Sequence, residues 1–277
     1  MVAENGVLVD TAPRLHLPAR HSEIQLPRYR RPGEPERYRL SAGRLAITLR
    51  EPPTKLIHFR FCTRYVSAHA AQISDLHPHV LGLQLCPSTM ASFFTYATRF
   101  LPAFAQSWIH SVFPEWFLPD RAVLKIQKPG EDQEIMEEYF DTEVRAYQQL
   151  NPLQGSIIPK FYGVLRYDGT RAMLLEYVGG ISLSAPDGAT MTLEELSSLL
   201  QPCYRALHAL GVHQDDANLS NFQLVDGKIK VLDLESAVFH YCADQRATFL
   251  ASSVRHLAKH YLSMQAYYRH QGFLEAA

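Results

Sequence analysis

The chain has 277 residues, 47% hydrophobic and 20% charged, ordinary proportions for a globular protein with room for one large or two small domains. A formal net charge of -1 provides none of the basic excess that nucleic-acid binding uses, so no nucleic-acid partner is expected. The four cysteines, Cys62, Cys86, Cys203 and Cys242, form no Cys-x-x-Cys pair, which excludes the common zinc and dithiol motifs and fits reduced thiols inside a cell.

The first stretch, residues 1–75, reads as an N-terminal extension, partly disordered, rich in Pro and Arg as in Leu26-Pro-Arg-Tyr-Arg-Arg-Pro-Gly-Glu-Pro35. Its opening Met-Val-Ala-Glu-Asn-Gly lacks the basic region and apolar core of a secretory signal, so a cytoplasmic or nuclear, intracellular location is the expectation. Arg39–Leu49 could include a strand, and Lys55–Phe61 another. Between Leu76 and Leu118 the only acidic or basic residues are Glu115 and Arg99, while aromatic residues cluster from Phe93 to Phe117. A bilayer span needs roughly 20 uninterrupted apolar residues, and His77, Pro78, His79, Pro87, Arg99 and Pro102 break this run. A buried or interfacial helical segment is the expectation, and no membrane partner is expected.

Arg121–Gln127 is a short strand-like run carrying Lys125 at its centre. Residues 133–150 then read as a helix with the apolar stripe Met136, Phe140, Tyr147, Leu150, and Glu143 falls within it. Two readings of Glu143 stay open. Either it is buried and needs a cation, for which Lys125 is the nearest candidate in chain order, or it lies at the stripe's edge and reaches water. Lys160–Tyr167 and Arg171–Val178 flank Asp168-Gly169 as a hairpin, and Gly179-Gly180 then breaks the pattern at a hinge between a sheet-containing half and a helical half.

Thr192 and Glu195 form a capping box, and the stripe Leu193, Leu196, Leu200, Cys203, Leu207, Leu210 runs to a stop at Gly211. Pro202 predicts two consecutive helices or a sharp kink. A second hairpin follows: Phe222–Val225 and Lys228–Leu232 alternate apolar and polar residues around Asp226-Gly227, with Leu224 facing Ile229 and Phe222 facing Val231. That register puts Asn221 beside Leu232, so Asn221 and Asp233 emerge at the open end, with Asp216 five residues before Asn221. Simple alternation points Asn221 and Asp233 to opposite faces, so their convergence requires a bend. Leu250, Val254, Leu257, Tyr261 and Met264 give one last long helix.

The order strand lysine, helix glutamate, hairpin, Glu-Tyr-Val, helices, Asp-x4-Asn, hairpin, Asp resembles the protein-kinase-like superfamily, most closely its small aminoglycoside-phosphotransferase-type and fungal kinase-like members. The resemblance covers about residues 119–240. Ala122-Val-Leu-Lys125 is similar to the family's Val-Ala-Ile-Lys strand, 207–221 to its catalytic loop, and Val231-Leu-Asp-Leu-Glu235 to its Asp-Phe-Gly segment. The fold it implies is α+β and two-lobed: a small antiparallel-sheet lobe over residues 76–178 and a reduced helical lobe over 179–277.

By resemblance, Lys125 contacts the α- and β-phosphates of ATP and is held by Glu143, while Asn221 and Asp233 bind Mg²⁺. Asp216 accepts the proton of the acceptor hydroxyl, and Glu176, Tyr177 and Val178 offer backbone groups to adenine. The spacing of five before Asn221 selects Asp216 over Asp215 as the base; Gln214 then occupies the usual histidine position, and His213 is structural. Three features depart from the pattern. No Gly-x-Gly-x-x-Gly precedes Lys125, Asp-Leu-Glu replaces Asp-Phe-Gly, and the stretch from Asp233 to Ala277 has no Ala-Pro-Glu, which weighs against an activation segment and polypeptide substrates. The implied function is an ATP- and Mg²⁺-dependent phosphotransferase acting on a hydroxyl of a protein or small molecule. The alternatives are a pseudokinase that binds nucleotide or a partner without efficient catalysis and, behind it, a membrane-peripheral scaffold using the aromatic region.

Overall fold

The computed structural model describes residues 53–274 apart from Asp75, Glu131, His240 and Cys242. The strand expected within Arg39–Leu49 lies outside the described residues. The protein is a mixed α/β molecule with antiparallel sheets, five α-helices and two hydrophobic cores among the described residues.

Six strands form the first unit: β1 (Lys55–Phe61), β2 (Arg64–Gln72), β3 (Val80–Leu85), β4 (Arg121–Ile126), β5 (Phe161–Tyr167) and β6 (Thr170–Glu176). They pair in the order β1-β2-β3-β4-β6-β5 and close into a barrel where Arg60 of β1 meets Arg166 of β5. Alternation explains the interior: Ile57, Phe59 and Phe61 of β1 point inward, and small residues, Ala68, Ala70, Ala122 and Ala172, stand on the strands around them. Alternating large and small side chains fill a narrow barrel without voids. The strand expected over Lys55–Phe61 is present with those bounds. The expected boundary after residue 75 falls between β2 and β3, which pair with each other, so the sheet begins upstream of it.

The second core lies between helices and short sheets. α3 (Gln133–Gln149), capped by the Asp132 carboxylate accepting from Ile135 N–H at 3.2 Å, presents Phe140, Ala146 and Tyr147 to it. α4 (Leu193–Ala209) begins with the expected capping box and contributes Leu196, Leu200, Cys203 and Leu207. α5 (Ala243–His270) is the expected long last helix and buries Leu257, Tyr261 and Tyr268. The short strands β7 (Ile181–Ser182), β9 (Phe222–Val225) and β10 (Lys228–Val231) make one small sheet, and β8 (Val212–Gln214) with β11 (Ala237–Phe239) another. Strand β6 serves both cores, with Ala172 and Leu174 facing the barrel and Met173 and Leu175 facing the helices.

Both predicted hairpin turns are present. Asp168 and Gly169, and Asp226 and Gly227, adopt positive φ, as a two-residue turn with the right twist requires, and Leu224 pairs with Ile229 as expected. One expectation needs correction, and another is narrowed to its exposed alternative. Pro202 sits inside one continuous α4, exposed on its outer face, where the Ser198 carbonyl it leaves without an N–H partner can bond water. The aromatic stretch is helical, as α1 (Thr89–Thr98) and α2 (Ala103–Val112), but much of it is exposed: Phe93, Tyr96, Phe100, Phe104 and Trp108 face solvent. It is an insertion between β3 and β4 whose own contacts run mainly through a 3₁₀ turn at Pro114–Trp116.

Candidate active site

Strand β4 turns Val123 and Lys125 away from the barrel interior, toward α3. The Lys125 ammonium lies 2.6 Å from Glu143 Oε2, 2.8 Å from Asp233 Oδ1 and 3.8 Å from Glu235 Oε2. Sheet, helix and the segment after β10 thus meet at one cation. Of the two readings of Glu143, the buried one holds: it is 1% exposed, and its other oxygen accepts from the Leu234 N–H at 3.4 Å.

The bend that alternation demanded is at Asp233 itself, where φ is +51°. A non-glycine residue in this region is strained unless its surroundings hold it there. Gln214, fully buried on β8, supplies one such hold by donating its side-chain N–H to the Asp233 carbonyl at 2.7 Å. The Leu232 N–H donates to the Asn221 carbonyl at 2.7 Å, extending the hairpin as far as the expected register reached.

Asp216 and Asn221 sit together: the Asn221 amide donates to Asp216 Oδ2 at 2.8 Å. Asp215 instead lies against solvent, 3.7 Å from His213 Nε2. His213 is 3% exposed and hydrogen-bonded to His208 at 2.9 Å, stacked on Phe249, which is a packing role. Glu176 ends β6 in reciprocal bonds with Lys160: its backbone N–H donates to the Lys160 carbonyl and its carboxylate accepts the Lys160 N–H, both at 2.9 Å. Tyr177 carries the Arg121 guanidinium 3.7 Å from its ring centroid, and Val178 leads into Gly179 and Gly180, both at positive φ.

The electrostatics follow from crowding. Burial opposes a charge on Lys125, but Glu143, Asp233 and Glu235 outweigh it and raise its pKa, so the ammonium persists at any physiological pH. Burial likewise pushes against ionised Asp233, and Lys125, then Lys128 and the Glu235 N–H, overcome it and hold its carboxyl below the usual range. Glu143 goes the other way: burial and the two neighbouring carboxylates raise its pKa despite the contact with Lys125.

Three participants escaped the sequence reading of the site. Glu235 stands within 4.8 Å of both Glu143 and Asp233 and pairs with Lys128 at 2.5 Å. The signals were Asp-x-Glu after the hairpin and a second lysine three residues beyond Lys125, but their meeting depends on the turn at Asp233. His79 is the third. The turn from Ile73 to His79 joins β2 to β3, Val80 pairs with Lys125, and the Ile126 N–H donates to the His79 carbonyl at 2.8 Å. Burial and the neighbouring Lys128 and Lys125 lower the His79 pKa to about 4.

A lysine on a sheet strand, clamped by a helix glutamate and an aspartate after a hairpin, is an arrangement of the kinase-like class. Residues 139–270, just under half of the chain, match the model of a family described as lipopolysaccharide core biosynthesis protein (WaaY). The match takes in Glu143, Asp216, Asn221, Asp233 and Glu235 but not Lys125. It supports the kinase-like superfamily and not the finer likeness to aminoglycoside phosphotransferases or fungal proteins. Comparison with curated proteins gave no match.

Proposed function

We propose that the protein is a phosphotransferase of two-lobed, kinase-like fold that moves the γ-phosphoryl group of ATP to a hydroxyl, with Mg²⁺ as cofactor. The observation that carries this reading is the Lys125 ammonium held between Glu143 and Asp233 at 2.6 and 2.8 Å. Phosphoryl transfer is mostly positioning and charge neutralisation, and this lysine is fixed in place and permanently charged. In this reading the barrel is the smaller lobe, Glu176–Val178 border the adenine, and Asp216 faces the acceptor hydroxyl.

The donor set fits a hard divalent cation. Glu143, Asp233 and Glu235 offer carboxylate oxygens within 4.8 Å of one another, and three carboxylates against the two ammonium groups of Lys125 and Lys128 leave one negative charge uncompensated. Asp233 and Asn221 would hold Mg²⁺, which neutralises the phosphate oxygens when bound. Asp216, whose carboxylate accepts from the Asn221 amide, takes the proton of the acceptor hydroxyl. The acceptor class follows from the family description: a lipopolysaccharide core is an oligosaccharide, so a sugar hydroxyl is the first candidate among small-molecule and protein acceptors.

ATP consumption with a panel of oligosaccharide and small-molecule acceptors, with and without Mg²⁺, tests the assignment. Turnover should require the metal and disappear in Asp216→Ala and in Asp233→Ala; full activity in either variant defeats it. One feature favours a second reading, a pseudokinase. The turn between β2 and β3 has no glycine, so its backbone approaches phosphate less freely than a glycine loop. Thermal stabilisation by nucleotide without turnover on any acceptor would select that reading.

A further inference from the structure

Among the described residues, the α1–α2 hairpin exposes aromatic side chains that the candidate site does not use. On α1, Phe93 and Tyr96 recur at helical spacing and lead to Phe100; on α2, Phe104 and Trp108 do the same. Their exposures are 61, 63, 72, 78 and 64%, the highest at the corner where the helices meet. At about 200 Å² per aromatic side chain, this amounts to on the order of 700 Å² of ring surface in water. Soluble monomers rarely leave a patch above a few hundred Å² uncovered. Corners between helices are ordinarily polar, so two phenylalanines there, flanking Leu101 and Pro102, invert the usual chemistry.

The charge pattern narrows the occupant. From Leu76 to Leu118 the only carboxylate is Glu115, and it is 1% exposed, its carboxylate accepting from Thr63 and its carbonyl from Arg64. The exposed charge on the hairpin is therefore Arg99. Upstream, residues 26–50 carry seven arginines against two glutamates. An aromatic corner without exposed carboxylates, in a chain with a basic run, combines the two signals that a peripheral protein needs for stable attachment to anionic lipid. Each helix has 10 residues, and no helix among the described residues is long and apolar enough to cross a bilayer. The hairpin would lie in the interface, with Tyr and Trp at headgroup level.

We propose that the α1–α2 hairpin docks this protein on an anionic lipid surface, inserting the corner from Phe100 to Phe104 into the headgroup–acyl boundary. This inference is independent of catalysis at Lys125.

Co-sedimentation of the full chain with vesicles of phosphatidylcholine, alone or mixed with phosphatidylglycerol, tests it, with tryptophan fluorescence as a second readout. The chain should pellet with the mixed vesicles, and its tryptophan emission should shift to the blue, a shift absent when Trp108 is replaced and only Trp116 remains. The variant Phe100→Ser/Phe104→Ser/Trp108→Ser should lose roughly tenfold or more in vesicle affinity while keeping its thermal midpoint, because these rings face solvent. Should the triple variant fail to fold, Phe104→Ser alone is the comparison, with a smaller loss expected. Failure of the parent chain to bind mixed vesicles would overturn the proposal, as would undiminished binding by the folded variant. Self-association in sedimentation equilibrium that the triple variant abolishes, without vesicle binding, would assign the face to a second copy of the chain.

Discussion

Lys125 is the residue on which two lines of chemistry can be separated. It neutralises Glu143, which is 1% exposed, so removing it strands a buried carboxylate as well as a phosphate contact. Breaking a buried pair from one side costs roughly 3–5 kcal/mol, whereas replacing both partners by apolar groups of similar size is often near neutral. Lys125→Met should therefore lower unfolding stability by about 3–5 kcal/mol in urea. Lys125→Met/Glu143→Leu should recover most of the loss, and neither should turn over ATP. A double variant as unstable as the single one would mean that Glu143 does not depend on Lys125. At this scale, Lys125, Glu143, Asp216, Asn221 and Asp233 were legible because each sits in a local pattern of spacing. Glu235 and His79 were not, because their places depend on a positive φ at Asp233 and on the pairing of Val80 with Lys125.

Turns tell the same story one level up. The hairpins at Asp168-Gly169 and Asp226-Gly227 were readable because two residues determine the turn and alternation determines the register. Barrel closure was not, since Arg60 meets Arg166 across more than a hundred residues of chain and no local period encodes that. The aromatic helices were half legible: the sequence yields a helix, buried or interfacial, but only the structure says that nothing among the described residues covers it. Gly180 makes the hinge element testable. Its φ is +81°, and a Cβ there would lie 2.4 Å from the Leu224 carbonyl oxygen of β9, whereas Gly227, with φ +73°, has nothing within 4 Å. Gly180→Ala should thus combine backbone strain of about 1–2 kcal/mol with a steric clash, and Gly227→Ala should carry the strain alone. Chemical denaturation should rank Gly180→Ala well below Gly227→Ala, and equal midpoints would show that β9 can move away from the hinge. A further element is the turn before β3. Its His79 lies beside Lys125 and Lys128, so on the phosphotransferase reading Pro78→Gly should change KM for ATP more than kcat, measured by initial rates.

For the whole molecule, acid should be the weak direction, and the sign follows from its buried histidines. His208 is 4% exposed and bonded to His213 at 2.9 Å, a contact that needs one imidazole to accept and therefore to be neutral. Burial, then the neighbouring His213 and Arg246, lower the His208 pKa to about 4, and burial with the Lys128 and Lys125 ammonium groups does the same for His79. In the unfolded chain both return to about 6.5, so below that pH the unfolded state binds protons that the folded state refuses. Stability is then present above pH ~6.5 and is lost as the pH falls toward about 4, each such histidine contributing at most ~1.4 kcal/mol per pH unit. Asp233 adds to the loss only from the ordinary carboxylate range downward, because its folded pKa is depressed, while Glu143, which takes up its proton above that range in the folded state, works the other way. On the acid side of pH ~6.5 the histidines drive the loss, and Glu143 opposes it. Urea midpoints at pH 7.5, 6.5, 5.5 and 5.0, chosen to span roughly the unfolded histidine range, should fall steadily for the parent chain. His208→Gln loses a buried hydrogen bond and should start about 1–2 kcal/mol less stable at pH 7.5, yet decline less steeply, since Gln takes up no proton in either state. Parallel slopes in the two proteins would show that His208 is not among the groups that set the acid limit of this fold.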